Sequence, residues 1–408
     1  MMAERARNLL WTLELGALLA LALVLPIAEA LKNIFCLLYV LLWLVNRVLR
    51  GDCGGRWTAW DSLIVFWVAG AYLCAFFSGM QKNEWGDTGE LAMYVLVLWL
   101  VLRGGYSAKE QRMVLGVLVT STVLGLVQGY YYLYVTHRRQ MLQLHSVGHV
   151  NHSAIYVAIM LGVCASWLFA YWRTWLPGRR AAALSVFALV LVSLVWTESR
   201  AAVGVGLVLL VALAAAWWPR WRAPLMASAL AVAVVLAVAV GMGAGVVRKQ
   251  VERTAAGDFL QLRDAIWRTG LATWERYPWF GVGKDNYGLV TRAHLRRWHE
   301  EAGKPYDDTR FVPYNHAHNL YVNTLAERGL VGFAGLMAVL VAWAVALVRR
   351  RPRATDGDHA WLLWGGALSA WVVTCGVGVA NTTLHHEHGI LATLLLGLWL
   401  SSLPRRAS

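Results

Sequence analysis

Apolar runs of about twenty residues recur along most of this chain of 408 residues, and they constrain its fold more than any other feature. A helix of that length spans the hydrocarbon core of a membrane, and only helices or closed barrels satisfy their backbone hydrogen bonds in lipid. The runs lack the alternating pattern of barrel strands. Only 15% of the residues are charged, against about 25% in soluble proteins. The sequence therefore predicts an all-α polytopic membrane protein.

The apolar runs predict about twelve transmembrane helices. The first run follows two arginines, as in a signal peptide, but it is longer than a usual signal core and contains Glu14, so we expect a retained span. One long polar segment, 248–318, divides the chain into residues 1–247, 248–318 and 319–408. The predicted spans are 9–29, 32–46, 60–79, 88–103, 111–134, 152–172, 181–197, 201–218, 224–247, 319–348, 360–380 and 387–402.

The basic residues predict the orientation of these spans. With the N-terminus in the cytoplasm, 19 Lys and Arg residues fall on the cytoplasmic side and five in short external loops, as the positive-inside rule requires. Both termini are then cytoplasmic, and segment 248–318 is external. This distribution explains most of the net charge of +14, and no nucleic-acid-binding motif accompanies it, so we expect no nucleic-acid partner. The five cysteines suggest no disulfide framework.

The long external segment is predicted to be folded. Within 259–276, apolar residues recur every three or four positions, which indicates an amphipathic helix lying on the bundle or at the lipid surface. Pro278 should end this helix, and Gly281-Val282-Gly283 should form a tight turn before a second helical stretch at 285–300. The apolar positions of the first helix are Phe259, Leu262, Ile266, Trp267, Leu271 and Trp274.

A polar stripe marks the start of the tenth predicted span. Asn319, Asn323 and Glu327 are four residues apart, so on a helix they share one face, beginning beside His318. Such a stripe in a membrane bundle is expected to face inward or to line a cavity. A simpler alternative is a helix N-cap at Asn315 or Asn319.

Two arginines and a histidine are predicted to meet on the external face. Arg200 lies between two spans, Arg263 lies on the amphipathic helix, and His318 opens the tenth span. Each arginine also has a purely structural explanation, as a snorkelling side chain or as part of a solvated helix face. Together, however, two guanidinium groups suit phosphate oxygens, and a histidine can accept a proton near neutral pH. The combination favours a lipid-linked phosphate substrate.

Two histidine-rich segments also lie at external ends of spans. Their residues could bind a metal ion. Consecutive residues on a helix diverge by about 100°, however, so neighbouring histidines rarely ligate one ion, and we expect no metal. The segments are His149, Asn151 and His152, and His385, His386, Glu387 and His388.

Three motifs together resemble the O-antigen ligase and O-antigen polymerase superfamily. The first is S-R-A-A at 199–202, and the second is R-D-A-I-W followed by Y-P-W-F-G-V-G-K-D-N-Y within 263–287. The third is H-A-H-N-L-Y-V-N-T-L-A-E-R-G-L-V-G at 316–332. Twelve spans with one large periplasmic loop before the tenth also agree with the plan of the ligases.

The resemblance implies a fold akin to the C-type membrane glycosyltransferases and a multi-pass protein of a Gram-negative inner membrane. It implies transfer of a glycan from undecaprenyl pyrophosphate to lipid A–core oligosaccharide in the periplasm, within lipopolysaccharide biosynthesis, without a cofactor or required metal. The catalytic arginines of the family correspond to Arg200 and Arg263, and its histidine corresponds to His318. His316 lies two residues earlier, so the choice of base between the two histidines stays open.

Further substrate contacts are expected around these groups. His316 and Asn319 are candidates beside the base, and Lys82, Arg138 and Arg139 are external cations that could bind core phosphates. Membrane lipids are the other expected partners. The motifs do not separate a ligase from a polymerase or a protein O-oligosaccharyltransferase, and they identify neither the glycan nor the acceptor sugar. A transporter is a less favoured alternative, because no inverted repeat is visible.

Overall fold

A computed structural model describes residues 2–82, 84–217, 229 and 261–404, and in this part of the chain the secondary structure is helical, with no β-strand. The polytopic all-α prediction is therefore confirmed. The α-helices are α1 (Met2–Val24), α2 (Glu29–Arg50), α3 (Ala59–Phe76), α4 (Glu84–Gly104), α5 (Ala108–Tyr130), α6 (Val150–Tyr171), α7 (Pro177–Trp196), α8 (Arg200–Trp217), α9 (Gln261–Arg276), α10 (Arg292–Glu301), α11 (Leu320–Arg349), α12 (Asp358–Gly378) and α13 (His386–Ser402).

Ten of the described helices are long and apolar enough to cross a membrane. They are α1 to α8, α11 and α12, and each corresponds to a predicted span. The predicted span 387–402 is α13, a helix of 17 residues that is buried over nearly its whole length. The predicted span 224–247 lies outside the described residues.

α6 forms the centre of the bundle. Within the part of α6 that is long and apolar enough to cross a membrane, 94% of the residues are buried. The corresponding share is 28% in each of α1, α7 and α8. α6 packs against α7, α8 and α12, while α13 packs against α4 and α11 against α3. Large apolar side chains such as Leu37, Val208 and Val348 are exposed on the outside of the bundle, as expected for a surface that faces lipid.

The ends of the helices are built by local capping. Ser107 and Glu110 form a reciprocal capping box at the start of α5, with the Glu110 carboxylate accepting from the Ser107 amide at 2.7 Å. Thr58 and Asp61 form the same arrangement at the start of α3. Gly51 ends α2 in the left-handed conformation with φ of 63°.

Several ionisable residues inside the bundle have polar partners. Glu14, in the middle of the first span, accepts hydrogen bonds from Asn46 at 2.5 Å and from Tyr106 at 2.8 Å, and Arg47 lies 3.8 Å away. Elsewhere in the bundle, the buried Lys32 and Glu387 form an ion pair at 2.6 Å. These contacts satisfy groups that would otherwise be costly to bury.

Part of the long segment between α8 and α11 folds into a compact layer on one end of the bundle, which we call the loop-bearing face. The predicted amphipathic helix is α9, and Phe259 lies outside the described residues. The second helix begins at Arg292 rather than at 285, because Tyr287–Leu289 forms a 3₁₀ turn and Thr291 caps α10. This layer has its own apolar core, formed by Val282, Val290, Leu295 and Phe311.

Candidate active site

The loop-bearing face is anchored to the bundle through a break in α11. Gly329 has φ of 57° and ψ of −161°, which interrupts the helix. The chain after α9 binds the amide groups freed by the break: Leu330 N donates to Pro278 O at 2.8 Å, and Val331 N donates to Trp279 O at 3.1 Å. A Cβ atom at position 329 would collide with the Trp279 backbone, so glycine is required here for both space and conformation.

The segment from Gly281 to Gly283 forms backbone hydrogen bonds with the residues of α11 that precede the break. Val282 N donates to Ala326 O at 3.0 Å, and Gly283 N donates to Glu327 O at 2.8 Å. Gly281 has φ of +70°, and a Cβ atom there would collide with the backbone of Glu327. The predicted tight turn is displaced: the chain turns at 278–280 and 284–285, on either side of Gly281-Val282-Gly283. The close approach of this segment to α11 explains why glycines occur in both the 277–287 and the 326–332 sequences.

Two asparagines of the polar stripe hold the segment just before α11. Asn319 caps the helix, with its Oδ1 accepting from Tyr321 N at 2.9 Å and Val322 N at 3.0 Å. Asn323 Oδ1 accepts from Ala317 N at 2.9 Å. Both side chains are buried, as is Glu327, so the stripe faces inward as predicted, and the N-cap alternative is also correct for Asn319.

His318 projects from this braced segment in a constrained conformation. Its φ is 48°, in the left-handed region that a histidine seldom occupies. Its Nδ1 lies 3.4 Å from Asn381 Oδ1. Because that oxygen can only accept, Nδ1 carries the proton in this contact, which leaves Nε2 as the basic nitrogen. The His316 ring lies 4.1 Å and the Tyr314 ring 5.1 Å from the His318 ring, between centroids.

The surroundings keep both histidines neutral near pH 7. Burial lowers the pKa of His318, the contact with Asn381 raises it, and the nearby Arg263 cation lowers it again, so that the net pKa is below its ordinary value. Burial and the adjacent His318 lower the pKa of His316 to about 4. A neutral imidazole is the form that can accept a proton.

Of the two predicted arginines, Arg263 lies near both Arg200 and His318. Arg200 is the first residue of α8, directly after a turn in which Glu198 has φ of 56°. Arg263 lies in the first turn of α9. Burial and the charge of Arg200 lower the pKa of Arg263, and the charge of Arg263 in turn contributes to the lowered pKa of His318. The structure thus brings Arg263 near Arg200 and near His318, which come from separate parts of the sequence.

The other predicted substrate contacts differ in how close they lie to these three groups. His316 adjoins His318, and Asn319 acts on the backbone as a cap, while its Nδ2 donates to Val379 O at 2.9 Å. Lys82, Arg138 and Arg139 are exposed in two other loops of the loop-bearing face, between α3 and α4 and between α5 and α6. No hydrogen bond or ion pair within the described residues joins their side chains to the three groups.

Sequence reasoning missed Asn381, which contacts His318 from the turn between α12 and α13. This side chain is 3% exposed, and its Oδ1 also accepts from Thr382 N at 2.9 Å. The signal available was the polar run Asn381-Thr382-Thr383 directly after an apolar span. Buried polar residues at such a turn indicate a partner on a neighbouring element.

The fold defines a class: a polytopic helical membrane protein with a folded layer on one end of its bundle, in which Arg263 lies near Arg200 and His318. Residues 185–337 match a family model described as O-antigen ligase, a region that includes Arg200, Arg263 and His318. This match supports a relationship between residues 185–337 and the O-antigen ligase superfamily, whose members are glycosyltransferase-like enzymes. No curated protein matches the chain.

Proposed function

We propose that this protein is an O-antigen ligase, an inverting and metal-independent glycosyltransferase. It transfers a glycan from undecaprenyl pyrophosphate to a hydroxyl group of lipid A–core oligosaccharide. The loop-bearing face is periplasmic, both termini are cytoplasmic, and the membrane is the bacterial inner membrane. The observation that carries this proposal is that Arg263 lies near both Arg200 and His318, since the Arg200 charge lowers the pKa of Arg263 and the Arg263 charge lowers the pKa of His318, and all three lie in the family-matched region.

The arginines are suited to the leaving group. The bond that breaks joins the anomeric carbon to a pyrophosphate oxygen, and its electron pair leaves with the pyrophosphate. Arg200 and Arg263 stabilise the negative charge that develops there, and their guanidinium groups can each make two parallel hydrogen bonds to phosphate. The charge of Arg200 lowers the pKa of Arg263, and a bound phosphate would oppose that effect by favouring the charged form.

His318 is suited to the acceptor. Its Nε2 takes the proton of the acceptor hydroxyl while the oxygen attacks the anomeric carbon opposite the departing pyrophosphate, which inverts the configuration. Asn381 accepts from Nδ1 and fixes the orientation of the ring. His316 has the same chemistry but a pKa of about 4, which makes it the weaker base.

A broken helix is also a feature of secondary transporters, where unwound backbone binds the transported substrate or ion. Here the amide and carbonyl groups around Gly329 are bound instead by residues 278–283 of the same chain. Glu14, an ionisable group within a span, is likewise bound by neighbouring side chains. These observations favour a transferase over a transporter.

The test is transfer in vitro with the purified chain, an undecaprenyl-pyrophosphate glycan and lipid A–core. We expect a lipid A–core glycan whose new linkage, followed by NMR, has the opposite anomeric configuration to the donor. Parallel reactions replace the acceptor with a peptide or with a second donor molecule, and His318→Ala provides the inactive control. Product only with the peptide would make the chain a protein O-oligosaccharyltransferase, and product only with the second donor would make it a polymerase. No product with any acceptor would refute a transferase.

A further inference from the structure

Five imidazole rings gather on the loop-bearing face, beside the proposed active site. His149 and His152 lie at the start of α6, and three more histidines lie at the start of α13. Measured from the centroid of the His152 ring, the other rings lie 5.6 Å (His149), 5.5 Å (His385), 5.7 Å (His386) and 5.2 Å (His388) away. The proposed transfer reaction assigns no role to this cluster.

Three donor atoms within the cluster converge. One ring nitrogen of His385, one ring nitrogen of His386 and a carboxylate oxygen of Glu90 in α4 all lie within 4.8 Å of one another. The Glu90 Oε1 atom is 2.7 Å from His386 Nδ1 and 3.6 Å from His385 Nδ1. Ligands around a tetrahedral zinc ion, at bond lengths of about 2.0–2.1 Å, are about 3.3 Å apart. The observed separations bracket that value.

The backbone explains how two consecutive histidines reach one point. On a helix their side chains would diverge, which is why the sequence predicts no metal here. The structure instead places His385 before α13 in an extended conformation, with φ of −137°, and His386 in the left-handed region, with φ of 45°. The two ring centroids are consequently only 3.8 Å apart.

Three buried ring nitrogens of the cluster have no hydrogen-bond partner within the described part of the chain. They are His385 Nδ1 and both ring nitrogens of His388. The His388 side chain belongs to a residue that is only 1% exposed, and its ring adjoins that of His152. A buried polar atom without a partner is costly, and a metal ion or a metal-bound water would supply one.

Contacts behind Glu90 hold its carboxylate in place. His386 N donates to Oε1 at 2.8 Å, and Lys284 Nζ lies 3.1 Å from Oε2. Such outer contacts orient the ligands of protein metal sites. Lys284 also offsets the charge of Glu90, so affinity must come mainly from the imidazoles. Imidazole ligands favour zinc and its neighbours over magnesium or calcium.

We propose that Glu90, His385 and His386 bind one divalent first-row transition-metal ion, with Zn²⁺ the best fit. A water molecule or the neighbouring His152 would complete the coordination. The ion would join the ends of α4 and α13 and would take no part in glycan transfer. This site is therefore independent of the proposed function.

The experiment measures metal binding to the full purified chain, carrying an affinity tag without histidines and stripped by a chelator. Equilibrium dialysis against Zn²⁺, with metal counted by mass spectrometry, should give one ion per chain. Removing a supporting contact of a metal site typically weakens binding by about 10–100-fold, so loss of a ligand in Glu90→Gln or His386→Ala should weaken it at least as much. The exposed His137, in a loop of the same face, provides the matched control, since His137→Ala should bind zinc like the parent.

Two further measurements use the folded parent protein. X-ray absorption of the zinc-loaded chain should report nitrogen and oxygen neighbours at about 2.0–2.1 Å with the outer-shell signal of imidazole. Zinc should raise the midpoint of thermal unfolding of the parent and of His137→Ala, but not of Glu90→Gln. The proposal is wrong if the parent binds no stoichiometric zinc, if its zinc lacks imidazole neighbours, or if Glu90→Gln binds as tightly as the control.

Discussion

Arginine side chains at the two ends of the helical bundle have different electrostatic surroundings. On the face opposite the loop, Arg103 is buried and its Nε lies 2.6 Å from Asp61 Oδ1. Its NH1 atom donates to the carbonyl oxygens of Cys53 and Gly55, and Asp61 also accepts from Trp99 at 2.8 Å. The Asp61 carboxylate neutralises this cation, and the hydrogen bonds of its guanidinium group hold the loop between α2 and α3 against the bundle.

On the loop-bearing face, Arg263 lies near both Arg200 and His318, and its pKa is lowered by burial and by the Arg200 charge. A like charge nearby disfavours the charged form of a cation, whereas a neighbouring carboxylate favours it. The comparison therefore contrasts a buried arginine held by a carboxylate with half-buried arginines of which one lies near another cation and near His318.

The largest expected effect on this comparison is at His318. His318→Ala should reduce the rate of transfer by ~10²–10⁴-fold, the usual contribution of a general base. His318→Gln should be no more active, because an amide can hydrogen-bond but cannot accept the proton. Single-turnover rates with saturating donor measure this loss. His316→Ala is the control and should lose much less. The opposite outcome, an inactive His316 variant and an active His318 variant, would move the base to His316.

The next largest effect is at the paired arginines. Removing one donor that stabilises developing charge typically costs ~10²–10³-fold in rate, so Arg200→Ala and Arg263→Ala should each lose about that much. Lysine at either position should restore only part of the rate, because a point charge does not reproduce the planar fork of arginine. Rates and thermal unfolding are measured on the same preparations. A fully active alanine variant would exclude that arginine from the site.

The pH dependence should report the neutral form of His318. Its pKa lies below the ordinary value, and catalysis needs the unprotonated ring, so the rate should be constant from neutral pH upwards and fall as the pH drops through that pKa. The fall should approach about tenfold per pH unit. His316→Ala should keep the same profile. A rate that rises on acidification would contradict the assignment of His318 as a base.

A smaller effect on turnover is expected on the opposite face. Breaking a buried ion pair by removing one partner typically costs ~3–5 kcal/mol of stability, so Asp61→Asn should lower the thermal midpoint strongly. Its transfer rate per folded molecule should stay close to that of the parent, because Arg103 has no role in the reaction. Activity is normalised to the monodisperse fraction from size exclusion. A stable but inactive Asp61→Asn protein would remove the distinction between the two faces.

Most of the bundle could be predicted from the sequence because a membrane span is a local property. A run of apolar residues of the right length specifies a helix wherever its neighbours lie. The break in α11 could not be predicted in this way, since it depends on Gly281 and Gly329 approaching each other across 48 positions of sequence. The sequence also predicts too early a start for α10, because Tyr287–Leu289 continues the loop as a 3₁₀ turn.

The candidate site was predictable in part for a related reason. Arg200, Arg263 and His318 have residue types that stand out in external segments, so their convergence could be proposed. Asn381 has an ordinary residue type, and its contact with His318 depends on how α12 and α13 are joined. The donors of Glu90, His385 and His386 were missed because helical geometry was assumed where the chain turns sharply before α13.

The last prediction concerns which face of the bundle is cytoplasmic, and its test measures the labelling of a cysteine rather than enzyme activity. The excess of basic residues on the ends opposite the loop indicates that this face is cytoplasmic. Cys53 is exposed in the loop between α2 and α3, whereas three of the other four cysteines are buried. A membrane-impermeant maleimide should therefore label Cys53 in inverted vesicles but not in intact spheroplasts. Cys53→Ser should abolish the signal, and adding His137→Cys to that variant should restore labelling in intact spheroplasts. The reverse pattern at both positions would place Arg200, Arg263 and His318 in the cytoplasm, where a lipid A–core acceptor on the periplasmic leaflet could not reach them.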